Sequence, residues 1–599
     1  MSGDSGQNKL EGEADLVLIA LPGVQQFISE TRSVGDVRAA SEIYSRLTAE
    51  VARACGAAGQ VIFPAQFADA QGLPNRVVAL FPVGAWPKIA KTVTQRVKKT
   101  WQSWVKDALE LNDQQVSETP GMPQVQWVAV PPVPGGYLEQ WTRAQSLMAA
   151  RRLVCDFPPV EWKQRTLCGV GPRWPAERPP ASAKKHEQVP LSAAAWVKRR
   201  WTRINNLSGF ASTWSIASAP YRQAVLDHLG EPEVRAAVAA LSQIAREVIK
   251  ITQDGDVRES PLAALAAHPG QAGEPGRWFA STGGPWVYED RWQAESLARE
   301  NKAGAAALAP LVRRGRDAAR RLAEIMLARG VGKPASHLAA IVADLDDFGK
   351  FLSGQADSAD GEQPEVSVYW HRQVSASLRQ TGLDQRQRLE DAAVLGLPVY
   401  AGGDDLLAFV PARHALAAAK SCHDLVSSGL RRPSTGVCFF HCHASLRDAL
   451  TSARELLQAA KGLDGKHGLG VGYLRRSGAS EMSVQPWEAG GAETIGAYGV
   501  FAGSRQYRLS PGLLADLDKD SAELARLSAD WPDIYRAELT RLVTRHLDGN
   551  PPKAEVKVAA EAIAGLGEHE ALRPREIPAA AAWPLPAARV AVFLRQEAR

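Results

Sequence analysis

Tyr400-Ala401-Gly402-Gly403-Asp404-Asp405-Leu406-Leu407-Ala408-Phe409 is the stretch on which the reading of this chain turns. The apolar runs Leu397–Ala401 and Leu406–Val410 flank a Gly-Gly tip, the composition of a β-hairpin whose turn takes φ > 0. Two glycines at the tip also let a polyphosphate approach with no Cβ in its way. Asp404 and Asp405 stand beside them as oxygen ligands for a hard cation.

Working upstream, apolar Leu338–Val342 ends in Ala343-Asp344-Leu345-Asp346-Asp347-Phe348-Gly349, followed by a polar loop over 354–365 and a helix over Val366–Leu378. Downstream of the hairpin the pattern gives a helix (Arg413–Leu430), a strand (Gly436–His441), a helix (Leu446–Lys461) and a strand (Leu469–Tyr473). The order is β-α-β-β-α-β with one more helix and strand. In that order the first and third strands are neighbours, so Asp344 faces Asp404 and Asp405. Three carboxylates converging from two strands suit two magnesium (or manganese) ions. Such a pair lowers the pKa of an attacking hydroxyl and stabilises a leaving pyrophosphate, which is nucleotidyl-transfer chemistry. Asp344 is the first candidate on its strand and Asp346 the second; Asp346 and Asp347 also suit a helix start. Lys461, at a helix C-terminus, can reach a triphosphate or serve the helix dipole.

An earlier stretch repeats the plan: Leu16–Leu21, a helix around Val37–Ala54, Gln60–Phe63, Arg76–Phe81, an amphipathic Trp86–Leu111, and Val125–Val130. Its equivalent strand end reads Ala20-Leu21-Pro22-Gly23, and its hairpin region runs from Phe67 to Arg76 without a carboxylate cluster. If both units bind nucleotide, only the second holds metals. The expected fold class is α+β: two ferredoxin-like Palm or cyclase-type domains, a mostly helical middle region and a helical C-terminal domain. The expected divisions are a loose tail over 1–13, a first Palm-like domain without metal ligands over 14–135, a middle region over 136–335, the second Palm domain over 336–480 and a helical domain over 481–599.

A chain of 599 residues is too long for one small module, and 70 Lys+Arg against 65 Asp+Glu leaves a net charge of only +5. That excludes a protein that coats nucleic acid by charge alone, so any RNA contact is local. Six scattered cysteines make no disulfide framework, and no apolar run is long enough for a membrane span. A cytoplasmic protein is expected. Cys438, His441, Cys442 and His443 alternate between strand faces, so one tetrahedral site there needs a bend. Lys198-Arg199-Arg200-Trp201 could meet RNA phosphates and stack a base, but reads first as a solvated helix face. His423-Asp424 falls within a predicted helix and reads as incidental.

The ordered set Val24-Gln25-Gln26-Phe27-Ile28, Leu73-Pro74-Asn75-Arg76, Phe157-Pro158-Pro159-Val160, Ser212-Thr213, Ser336–Gly349 and Tyr400–Phe409 resembles the large, Palm-domain subunit of type III CRISPR effector complexes, of the Cmr kind. Gly436–His441 and Ala460-Lys461 extend the resemblance over residues 14–480. It implies synthesis of cyclic oligoadenylate from ATP when a complex of Cmr subunits and CRISPR RNA binds target RNA. Gly402, Gly403, Leu345 and Lys461 would then contact nucleotide, and Asp404 and Asp405 would carry the chemistry. Three departures stand out. Many relatives begin with an HD nuclease domain, yet the first histidine here is His186, so DNase activity is not expected. Arg165 stands where the family often has a cysteine near Cys168, with Cys155 thirteen positions away, so zinc is not expected. Leu345 replaces the glycine usual between the aspartates.

Two other readings compete with the enzyme. One is a non-catalytic scaffold of the CRISPR ribonucleoprotein, which the intact Gly402-Gly403-Asp404-Asp405 disfavours. The other is a free-standing cyclase resembling the diguanylate-forming family, which the two-unit plan and long tail disfavour.

Overall fold

The computed structural model describes residues 13–112, 122–154, 166–183, 189–207, 209–251, 262–300, 304–475, 478, 480–487, 495–498, 509–578 and 580–597. Most of the 1–13 tail, Cys155 and Phe157-Pro158-Pro159-Val160 lie outside them.

Two sheets organise the chain. The first contains β1 (Ala14–Ala20), β2 (Gln60–Phe63), β3 (Arg76–Pro82) and β4 (Gln126–Val130) in the order β2-β3-β1-β4, every pair antiparallel. The second contains β5 (His337–Leu345), β6 (Leu397–Ala401), β7 (Asp405–Pro411), β8 (Pro433–His441), β9 (Gly468–Leu474) and β10 (Ser480–Pro486), ordered β10-β9-β8-β5-β7-β6. In both, the first and third strands of the unit lie side by side. β8 and β9 run parallel, as the helix Leu446–Lys461 between them requires. β10 corrects the sequence reading, which gave residues after 480 to a helical domain. Its seven residues, Ser-Glu-Met-Ser-Val-Gln-Pro, carry little apolar periodicity, and pairing with β9 supplies what propensity does not.

β1 and the body of β5 are apolar without alternation because both faces of each are covered. In β1, Leu16 and Leu18 enter one core while Val17 and Ile19 enter another; in β5, Leu338, Ala340 and Val342 part in the same way from Ala339 and Ile341. The two units share these cores. Leu16, Leu18, Val78 and Val128 of the first sheet pack with Leu345, Phe351, Val374 and Leu378 of the second unit. The helix Val34–Gly56 rests on its own sheet and reaches β6, and the helix Val368–Glu390 rests on β6 and reaches β2. Each unit thus lends a helix to the other, which fixes their relative angle.

His371 pins this junction. Its Nε2 lies 2.9 Å from the Leu352 carbonyl and its Nδ1 2.7 Å from the Tyr137 hydroxyl. Burial pushes the imidazole down to about 4, so the ring is neutral; with Nε2–H donating to the carbonyl, Nδ1 accepts from Tyr137.

In the middle region the helices Pro232–Ile251 and Ala305–Leu327 pack together. The tail is mainly helical from Gly512 to Glu597 and is tied to β10 through Glu570, which accepts from Ser483 Oγ at 2.6 Å and from the Val484 amide at 3.0 Å.

Candidate active site

β5 delivers Asp344 to the end of the second sheet, where it is the direct cross-strand partner of Asp405, the first residue of β7. The Leu345 amide then donates to the Asp404 carbonyl at 2.8 Å and closes the ladder. The spacing in sequence therefore becomes adjacency in space for Asp344, Asp404 and Asp405.

The Gly-Gly tip is shaped by packing. Gly403 has φ 93°, in the left-handed region, and a Cβ on it would overlap the carbonyl of Leu378 in the helix Val368–Glu390. A Cβ on Gly402 would overlap the Tyr400 hydroxyl. Both glycines are buried, so they serve the approach of protein to protein rather than an open landing for phosphate.

Asp404 and Asp405 are partly buried, and one oxygen of each, Oδ1, is enclosed without a hydrogen-bond partner. Burial, then the Asp344 charge, pushes Asp404 up to about 6, with Arg76 pulling the other way. Burial and the charges of Asp404 and Asp344 hold Asp405 well above the usual carboxylate range, and the Tyr400 hydroxyl donates to it. Enclosed, unsatisfied carboxylate oxygens crowded by like charge are what a bound cation relieves. Asp344, Asp404 and Asp405 are therefore the carboxylates this site offers to a magnesium ion. Asp344 already has a cationic neighbour: Lys461 Nζ is ion-paired with its Oδ2. Among the described residues no three or more His, Cys, Asp or Glu side chains are drawn together into a ready cation cage.

Asp346 does not join the three. It is buried, with Ser434 Oγ donating to both its oxygens (3.0 and 2.8 Å) and the His467 amide to Oδ2 at 2.8 Å. Asp347 opens the short helix Phe348–Phe351 and pairs with Lys466 at 2.7 Å. The segment from Lys461, the last residue of its helix, to His467 thus contacts Asp344 of β5 and Asp346 and Asp347 just beyond it, and Lys466 (φ 59°) and His467 (φ 49°) both adopt left-handed backbone. Leu345, expected at the nucleotide, is 2% exposed in the shared core with its amide already used.

The carboxylates open on a cavity of about 190 Å³ between the units, lined by Ser41, Tyr44 and Asn75 of the first and by Asp344, Tyr400 and Asp405 of the second. Sequence reasoning missed Tyr400, though it stands in the deciding stretch, and also Ser434, whose only signal is its place on the strand beside β5.

The remaining candidates lie elsewhere. Lys198-Arg199-Arg200-Trp201 is not a solvated helix face. Lys198 Nζ donates to the Phe27 and Glu30 carbonyls, Arg199 pairs with Asp36, and Trp201 Nε1 donates to Glu42. His423 stacks on His467 and Trp487. Cys438 is buried, which pushes its thiol up to about 12, and His441 stacks on His443. Cys168 is buried and accepts from the Gly171 amide, while Cys155 lies outside the described residues.

Comparison with known proteins agrees with this layout. Residues 337–470 match the family model "Cas10/Cmr2, second palm domain", and residues 16–106 match "CRISPR-associated protein Cmr2, N-terminal". The two matched segments are thus similar to palm-bearing Cas10/Cmr2 proteins. A curated relative is the CRISPR system Cmr subunit Cmr2 of Pyrococcus furiosus, 34% identical over 180 residues. That match covers 26% of this chain and only 21% of the relative's length. Two solved structures share the fold at 13% identity: the apo type III-B Cmr-beta complex (TM-score 0.61, covering 97% of this chain and 81% of that one) and the same complex bound to cognate target RNA (0.62, 97% and 83%). No described helix is long and apolar enough to cross a membrane.

Proposed function

We propose that this chain is an RNA-activated nucleotidyltransferase that converts ATP to cyclic oligoadenylate as the Palm subunit of a type III CRISPR complex, with Cmr subunits, CRISPR RNA and target RNA as its partners. The observation that carries the reading is the cross-strand pairing of Asp344 with Asp405, beside Asp404, on a cavity shared by both units. The matches to the Cas10/Cmr2 second palm domain and the Cmr2 N-terminal model, and the fold shared with the Cmr-beta structures, support it.

When bound at Asp344, Asp404 and Asp405, magnesium or manganese supplies Lewis acidity toward the attacking 3′-hydroxyl and the departing pyrophosphate. The chain's own groups do the rest. Tyr400 fixes the Asp405 carboxylate by its hydroxyl, and the Lys461-to-His467 loop fixes β5. Lys461, 22% exposed and beside Asp344, is placed to exchange that carboxylate for a triphosphate oxygen. The 3′-oxygen bonds to the α-phosphorus as its hydroxyl proton passes to solvent water, the bond from the α-phosphorus to the α–β bridging oxygen breaks, and pyrophosphate leaves with that oxygen. The helices exchanged between the units set the distance between hydroxyl and α-phosphorus. A misplacement of about 1 Å can cost on the order of a hundredfold in rate, so a small change of angle suffices as the RNA switch.

The test is to incubate the assembled complex with ATP and magnesium, with and without target RNA, and resolve products by mass. Cyclic oligoadenylate only with target RNA is expected; ATP unchanged under both conditions would overturn the reading.

A further inference from the structure

Between Asp69 and Asp107 the chain carries seven Lys and Arg residues and no Asp or Glu. Set those seven aside and its 70 Lys+Arg no longer outnumber its 65 Asp+Glu, so the net positive charge of the whole protein resides in this one segment. All of them but Arg76 lie on the helix Trp86–Leu109.

The helix sorts its residues by face. Val93, Val97, Trp101 and Val105 are buried against the first unit, whereas Lys88, Lys91, Gln95, Lys98, Lys99 and Gln102 are exposed and fall on one stripe at three- and four-residue spacing. From Lys88 to Gln102 the stripe is about 21 Å long. Lys88, Lys91, Lys98 and Lys99 make no hydrogen bond or ion pair with the described residues. Where the helix does meet an acid the balance stays cationic, since Glu50 accepts from both Arg96 and Arg53, each at 2.6 Å. The helix Ala305–Leu327 also carries a run of arginines, but there Arg314, Arg320 and Arg321 pair with Glu247, Glu289 and Glu233.

An unneutralised stripe selects the chemistry of its partner. Cores of protein interfaces are apolar and poor in lysine, and helices that lie on membranes present large apolar side chains. No large apolar side chain is exposed between Lys88 and Gln102. Lysine and glutamine along a straight face match a polyanion of evenly spaced charge, whose phosphates take the ammonium groups and whose sugars take the amides.

We propose that the stripe from Lys88 to Gln102 is a sequence-independent landing surface for single-stranded target RNA. The proposal rests on the reading of this chain as the Palm subunit of an RNA-bound complex and adds where on it the incoming strand is first met. Exposed lysines suit capture, because each contact is weak and screened by salt while their summed field raises the rate of encounter. The guide RNA is resident in the assembled complex, whereas the target arrives from solution, and steering acts on what arrives.

The test has two arms. In the first, binding of a fluorescent oligouridine of about 20 nucleotides to the purified chain is followed as salt is raised, where log affinity falls with log salt by roughly 0.7 per phosphate contact. Lys88→Gln, Lys91→Gln, Lys98→Gln and Lys99→Gln together should weaken binding about tenfold or more at low salt and flatten that slope by about 2–3. Arg314→Gln, Arg320→Gln, Arg321→Gln and Arg526→Gln together remove the same charge from exposed, paired positions and should leave both nearly unchanged. In the second arm, stopped-flow mixing of labelled target RNA with the assembled complex should show association slowed several-fold by the four lysine substitutions and dissociation little altered. Asp404→Asn with Asp405→Asn should bind RNA about as well as wild type, so loss of the synthesis reading and loss of this surface are told apart. An unchanged salt slope in the lysine variant, an equal loss in the arginine variant, or a lysine variant that no longer assembles with the other subunits would overturn the proposal, the last by making the stripe a protein interface.

Discussion

Lys461 Nζ is ion-paired with the Asp344 carboxylate, so the helix before β9 supplies a cation to the end of β5 at the carboxylate that would otherwise face Asp404 and Asp405 alone. The pair is partly exposed, and such pairs contribute only about 0–1 kcal/mol to stability. Asp344→Ala should therefore melt within a degree or two of wild type while synthesis falls about a hundredfold or more. Melting curves with product assays check both. Near-normal synthesis would show that β5 contributes no ligand.

Protons compete with cations at Asp404 and Asp405. Both carboxyls are raised in the folded chain, Asp404 to about 6, above the ordinary value of 3.8. Between those values the folded chain binds more protons than the unfolded one, so this pair's contribution to stability is present at low pH and is lost as pH rises through about 6 and beyond. In EDTA, the double Asn variant should gain stability relative to wild type between pH 5 and pH 8. Magnesium should raise the wild-type melting temperature more at pH 8 than at pH 5. A magnesium effect independent of pH would contradict the carboxylate assignment.

Gly403→Ala should cost roughly 1–3 kcal/mol, from the left-handed backbone and the overlap with Leu378. Gly349→Ala, where a Cβ meets nothing within 4 Å, serves as the control. Denaturant titration compares the two; equal stabilities would mean the tip is not packed against the helix Val368–Glu390.

Asp346→Ala should behave as a structural lesion. It leaves the Ser434 hydroxyl and His467 amide without their acceptor, at a cost of about 1–3 kcal/mol. Ser434→Ala should reproduce part of that loss. If Asp346→Ala instead kept full stability and abolished synthesis, Asp346 would be a ligand.

Much of this architecture could be read from residues alone, and the reasons are local. Leu338–Val342 and Leu16–Leu21 announce strands because strands covered on both faces are apolar throughout, and the Gly-Gly tip announces the turn between β6 and β7. The adjacency of Asp344 and Asp405 followed from strand order. What escaped was whatever depends on partners distant in sequence. Asp346 and Leu345 have the composition of site residues, but Ser434 and the shared core claim them. Lys198-Arg199-Arg200-Trp201 looks like a surface run, yet buried carbonyls and Asp36 satisfy it. β10 is legible only once β9 is there to pair with it.

The central claim is that the carboxylates paired across β5 and β7 transfer nucleotidyl groups. The most direct measurement is the mass spectrum of products formed from ATP and magnesium by target-RNA-bound complex carrying Asp404→Ala with Asp405→Ala, beside Asp344→Ala and wild type. The account predicts cyclic oligoadenylate from wild type and none from either variant, in complexes that assemble normally, because residues acting as one unit fail together. Wild-type amounts of product from the double variant would contradict it.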